Sequence, residues 1–181
     1  YKSLYESSSR ADREELYRWI EYYKIKFKSR VYTPLNNSEK YTLVLMGRAD
    51  FGLLGSYNKY KQTPFETFHV GGDGMTGSYT YATETIGLRG YDNGALTPYS
   101  DGRAYTRFSM ELHFPFLLQP SSTIYGLAFV EGGNAWTSLE NFNPFSLKRS
   151  AGVGVRIFLP MIGLMGIDWA YGFDKVQGEK G

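Results

Sequence analysis

The chain contains no cysteine. Disulfides and thiolate metal sites are therefore excluded, although the compartment is not fixed by this. Histidine is nearly absent: only His69 and His113 occur, and neither has a partner at a metal-ligand spacing. No apolar run approaches the ~18 residues of a membrane helix. The opening Tyr1-Lys-Ser-Leu-Tyr-Glu6 also lacks the apolar core of a signal peptide. If the protein is exported, this sequence is expected to be an internal piece of it. Charge of one sign is missing as well. Lys and Arg number 20 against 18 Asp and Glu, a net +2 that gives no pull towards nucleic acid.

What the chain does have is aromatic residues and glycine. In 181 residues there are 16 Tyr, 12 Phe and 3 Trp, with 21 Gly. A soluble domain of this length leans more on Leu, Ala and Val. Tyrosine and glycine with regular turns suggest an all-β protein, and outer-membrane barrels in particular need aromatic girdles. A Tyr-rich soluble β-protein that binds carbohydrate is the competing reading.

Six segments carry a two-residue period. In residues 22–33, Tyr23, Ile25, Phe27, Val31 and Thr33 share one face, and Lys24, Lys26, Lys28 and Arg30 the other. Four cations on one face suit a water-filled interior or a solvated sheet face, not a sandwich core. Residues 41–53, 104–116, 148–159 and 164–174 alternate in the same way. Residues 123–136 alternate poorly, because Leu127 and Phe129 share a face with Glu131. Most segments are long for globular strands and suit a tilted bilayer crossing.

The connections alternate in length too. Short links join the first and second, third and fourth, and fifth and sixth segments, the last through Pro160-Met-Ile-Gly163. A long connection, residues 54–103, joins the second to the third, and a loop of Asn, Phe and Pro joins the fourth to the fifth. Short turns on one side and long loops on the other are the pattern of a transmembrane β-barrel. Residues 1–18 are then an extracellular loop remnant on the long-loop side, with a capped helical turn over residues 9–15.

Gly72-Asp-Gly-Met-Thr-Gly77 matches a dinucleotide-binding string, but β-prone Ser78-Tyr-Thr-Tyr81 follows it where a helix is required. Gly71, Gly72, Gly74 and Gly77 are instead read as residues that permit tight turns. Glu111 and Glu131 fall on faces assigned to the interior of neighbouring strands. They form a possible carboxylate pair, but nothing beside them shapes a sugar site. His113 reads as a hydrogen-bonded lumen histidine. Arg89 sits between Gly87 and Gly90 in "IGLRGYDNG", inside a connection far longer than most loops. If that connection folds into the barrel, Arg89 needs a carboxylate partner, and Glu111 and Glu131 supply one. Gly87 and Gly90 let the tip pass close to the wall.

Gly71-Gly-Asp73 with Ile86-Gly-Leu-Arg-Gly-Tyr91, then "FSMELHFPF", "LAFVEGGNAW" and "RSAGVGVRIFLPMIGLMGIDWAYGF", occur in that order. Over roughly residues 19–175 the chain resembles the bacterial surface antigen family of outer-membrane proteins. In that family a Val-Arg-Gly-Phe motif tips the sixth extracellular loop; here it reads Leu88-Arg89-Gly90-Tyr91. The resemblance implies a 16-stranded barrel behind periplasmic repeat domains, which folds and inserts other outer-membrane proteins in the Gram-negative outer membrane. It implies that the loop arginine pairs inside the barrel with acidic residues on the two following strands, here Glu111 and Glu131. Aspartate is commoner than glutamate at the second position. Implied partners are outer-membrane protein clients, assembly-complex lipoproteins and the lipid bilayer, with no nucleic acid, cofactor, metal or catalytic residue. Related translocation-and-assembly and two-partner secretion barrels share the loop motif. By the same match residues 19–181 form a C-terminal barrel fragment of about six strands. Such a fragment is expected to pair its open edges with another copy or within a larger assembly.

Overall fold

A computed structural model describes residues 2–6, 9–38, 41–58, 60–74, 83–97 and 101–176. Two short helices, α1 (Lys2–Glu6) and α2 (Arg10–Tyr17), precede the strands β1 (Tyr22–Pro34) and β2 (Val44–Ser56). The long connection then contributes β3 (Thr67–Val70) and β4 (Thr83–Ile86). Four more strands follow: β5 (Ala104–Gln119), β6 (Ser122–Trp136), β7 (Lys148–Leu159) and β8 (Gly163–Gly172). The order β1-β2-β5-β6-β7-β8 makes one six-stranded sheet in which every neighbour is antiparallel. The sheet is not closed: β1 and β8 each have one free edge.

Local chemistry sets where the strands differ from the sequence periods. Pairing of β2 starts at Val44, not residue 41, because Asn36 takes over the intervening backbone groups. Its side chain donates to Tyr41 O at 2.9 Å and accepts from Leu43 N at 2.7 Å. The β5–β6 register shifts between Pro115 and Leu117, where proline has no N–H to give the ladder and a bulge absorbs the extra residue. Ladder pairing of β8 ends at Gly172, short of residue 174. Ser9 stands at the start of α2, but its side chain makes no capping bond, so the capped turn expected there is a plain helix start.

The sheet has one apolar and one polar face. Ile25, Phe27, Val31, Val130, Val153 and Ile167 are exposed on the outer side. The opposite side carries Lys24, Lys26, Lys28, Asp50, Arg107 and Glu131, aligned across the strands by register. That inner side is covered by the long connection. The period-two reading missed β3 and β4, which pair in parallel and are only four residues each. Phe68 and Val70 of β3, Ile86 of β4, and Leu88 and Leu96 pack with Leu54, Tyr105 and Ala135 of the sheet. The main buried core therefore lies between loop and wall. Phe68 N donates to Gly102 O at 2.9 Å and Val70 N to Thr97 Oγ1 at 2.8 Å, which satisfies buried backbone groups. The poor alternation of β6 is real: Leu127 and Phe129 are buried on the same inner face as Glu131.

Candidate functional site

The loop tip is built by close backbone approach. Gly71 N donates to Ile86 O at 3.0 Å and Gly72 N to Tyr91 O at 2.9 Å. Gly71, Gly72, Gly74 and Gly90 all have positive φ. Gly90, at φ 90°, is the critical one, because a Cβ there would lie 2.9 Å from Gly172 N on β8. At Gly87 a Cβ would lie 2.9 Å from Gly74 N. Gly77 lies outside the described residues. Leu88 is buried in the loop–wall core. Tyr91 donates its hydroxyl to Arg149 O at 2.7 Å and accepts from Asp174 N at 3.3 Å.

These contacts aim Arg89 at the wall. Its Nη2 donates to Glu131 Oε1 at 2.6 Å and to Glu111 Oε1. Its backbone N–H donates to Glu131 Oε2 at 2.9 Å. The guanidinium carbon sits 3.5 Å from the centroid of the Phe129 ring, a cation–π contact worth about 2 kcal/mol when desolvated. Burial works against the charged arginine, but Glu131 and Glu111 outweigh it and hold its pKa above the ordinary value.

Glu131 has 0% of its side chain exposed. Its oxygens also accept from Arg107 Nη2 at 2.9 Å and Ser109 Oγ at 3.0 Å. Three donors thus converge on Oε1, and Oε2 accepts from the Arg89 backbone N–H, in a side chain with no exposed surface. Glu111 is shared between Arg89 and His113, whose Nε2 lies 2.9 Å away. Asp168 on β8 lies 3.4 Å from Arg89 Nη1 and holds Arg156 at 2.5 and 2.7 Å. Three arginines thus meet three carboxylates across four strands and the loop.

The structure brings Leu88, Arg89, Gly90, Tyr91, Glu111 and Glu131 together at one place. Arg107, Ser109, Phe129, Arg156 and Asp168 were not singled out in the sequence. The one sign of Phe129 was its sharing a face with Glu131. A cavity of about 940 Å³ opens beside the cluster, bordered by Lys28, Arg48, Asp50, Thr85, Glu111 and Asp168.

The loop is held at a second place. Glu84 on β4 lies 3.3, 3.0 and 3.1 Å from the ammonium groups of Lys24, Lys26 and Lys28. Glu66 lies 2.6 Å from Lys24. Partial burial pushes the Glu84 pKa up, but hydrogen bonds from Lys26, Lys28 and Lys24 outweigh this and hold it below the ordinary carboxylate value. Two loop carboxylates that the sequence did not mark as partners thus meet three of the four cations on the β1 face.

Residues 10–181 match the Omp85 superfamily domain. The fold is similar to the crystal structure of BamA from Haemophilus ducreyi lacking POTRA domains 1–3, at 21% identity and a TM-score of 0.65. The match covers 87% of this chain and 33% of that one, so the chain spans about one third of the length of that protein's crystallised chain.

Proposed function

The chain belongs to the Omp85 superfamily, and on that premise we propose that it is the C-terminal part of a barrel that folds and inserts outer-membrane proteins. Residues 19–181 supply barrel wall with the long loop, residues 54–103, folded inward, and residues 1–18 belong to an extracellular loop. The exposed apolar side of the sheet faces the lipid bilayer, and the location is the bacterial outer membrane.

The observation that supports this reading is the Arg89 contact with Glu111 and Glu131 beneath the loop. A buried, fully hydrogen-bonded guanidinium holds the loop against the wall. It carries no reactive group, and both carboxylates are already bound by arginine. No bond is made or broken in the proposed mechanism. A client strand pairs with an exposed barrel edge by β-augmentation, while the anchored loop keeps the barrel shape competent. Assembly lipoproteins are partners of the full-length protein. The isolated fragment, with free edges at β1 and β8, pairs with another copy. Family membership and the apolar outer face weigh against a soluble carbohydrate-binding protein.

Arg89→Ala in the full-length protein tests this. The expected result is impaired assembly of client barrels together with a loop that proteases reach. Normal assembly with unchanged loop protection rejects the reading. A defect confined to the export of one secreted partner would instead place the protein with the related transporter barrels.

A further inference from the structure

Five cations stand on the inner side of β1 and β2: Lys24, Lys26, Lys28 and Arg30 in one row, and Arg48 opposite Arg30 in the ladder. Among the described residues three carboxylates meet them. Glu66 takes Lys24, Glu84 takes Lys24, Lys26 and Lys28, and Asp50 takes Arg48 at 2.6 Å. Arg30 is left without an ion pair among the described residues, and it is exposed.

The covered side of Arg30 gives it no help. Arg30 and Arg48 are direct cross-strand partners, and like charges directly opposite each other destabilise a sheet. On its other side β1 has no neighbour, because it ends the sheet. The open direction for a carboxylate is therefore across the free edge. The outer side of the same strand sets a second condition. Ile25, Phe27 and Val31 are exposed there and suit a neighbour that is apolar where it meets lipid.

A second copy of the chain meets these conditions badly. Two β1 strands side by side would set one row of four cations against another. The inner side of β8 offers one carboxylate, Asp168, which already holds Arg156 at 2.5 and 2.7 Å.

We propose that the free edge of β1 receives a strand of the full-length barrel that presents a carboxylate to the lumen level with Arg30, and that Arg30 recognises it. A guanidinium–carboxylate contact across the edge offsets the repulsion from Arg48. The inference rests on the reading of the chain as part of a closed barrel.

The sign of one substitution tests it. Arg30→Gln in the full-length protein removes the repulsion from Arg48. An unpartnered Arg30 then predicts an unchanged or raised denaturant midpoint for unfolding from lipid vesicles. A partnered Arg30 predicts a lowered midpoint, with a difference that shrinks as salt is raised. The neighbour is identified with p-benzoylphenylalanine in place of Tyr32, which lies one rung beyond Arg30 on the inner side and is exposed. Mass spectrometry of the cross-linked peptide reads which segment covers the edge. The expected product is intramolecular, to a barrel strand with Asp or Glu on its lumen side level with Arg30. Changing that acid to Lys should lower the midpoint, and combining the change with Arg30→Glu should recover it.

A midpoint unchanged or raised by Arg30→Gln overturns the proposal, as does a covering strand without an inward acid. A product that joins two copies, or joins the protein to a client barrel, gives the edge to that partner and overturns it too. Cross-linking to lipid alone leaves β1 uncovered and rejects the closed barrel along with this inference. Client assembly in Arg89→Ala is scored separately. A partnered Arg30 with normal assembly in Arg89→Ala rejects the anchoring role of Arg89 but keeps the β1 partner.

Discussion

The two holds on the long loop differ in depth more than in charge. Around Arg89 the side-chain exposures are 12% for the arginine and 0% for Glu131. Around Glu84 the lysines are 20, 40 and 48% exposed. A buried charge has no water to fall back on, so its geometry is fixed and losing a partner is costly. A half-exposed lysine exchanges its carboxylate for solvent at little cost, and each such pair is worth about 0–1 kcal/mol. Position is therefore set on the β5–β8 side, and retention on the β1 side.

The sharpest way to break this contrast is Glu131→Ala. It strands Arg107 and the Arg89 backbone N–H and takes from the Arg89 guanidinium one of its carboxylates, and the full-length barrel should lose about 3–5 kcal/mol in chemical unfolding from lipid vesicles. Arg89→Lys comes next. It keeps the charge but loses the planar fork, and forfeiting one charge-assisted hydrogen bond should cost about 1.5–3 kcal/mol in the same assay. Gly90→Ala forces a side chain into a left-handed backbone against Gly172. It should cost about 1–2 kcal/mol and speed proteolysis of the loop.

Glu84→Gln should lower stability by less than about 1 kcal/mol, and the difference should shrink as salt is raised. A loss as large as that of Glu131→Ala would mean the two holds are equivalent and the contrast is false. The smallest effect concerns Asp174, at the rim beyond β8. It accepts from the side chain of Arg149 at 3.1 and 3.0 Å and from its backbone N–H at 2.7 Å, which holds its carboxyl down at about 2 against an ordinary 3.8. A depressed carboxylate stabilises the folded state above its unfolded value, and that stability is lost as pH falls through the folded one. Protection of the β8 end against hydrogen exchange should therefore drop between pH 3.8 and about 2, and hardly change above that range.

Alternation located the wall strands well, because each has an apolar side facing out and a polar side facing in. β7 spans residues 148–159 in both sequence and structure. The loop strands escaped because four residues hold only two repeats of a period-two pattern, and because strands that pair in parallel are not joined by a tight turn. Glu66 and Glu84 escaped for a related reason. Nothing local tells a carboxylate in a loop that its counterions lie some 40 to 60 residues back on β1. Asp168 was visible as a polar-face residue of its segment, but its contact with Arg89 crosses 79 positions and depends on how far the loop descends. Phe129 was visible only as a breach of the pattern. The breach marked a place where the wall packs against protein rather than water.

The inner face of β7 leaves a trace of a different kind. At Gly152 an added Cβ would lie 2.6 Å from the Phe129 ring, and at Gly154 it would strike Asp168, while Val153 and Val155 between and beyond them are exposed on the outer side. Inheritance will treat these neighbours oppositely. Almost any codon change at the glycines inserts atoms where the Arg89 cluster already stands, whereas the valines can drift among apolar residues that lipid accepts. A saturation mutagenesis map of β7 should thus show tolerance rising and falling at every second residue, so that selection itself records which side of the wall faces the loop.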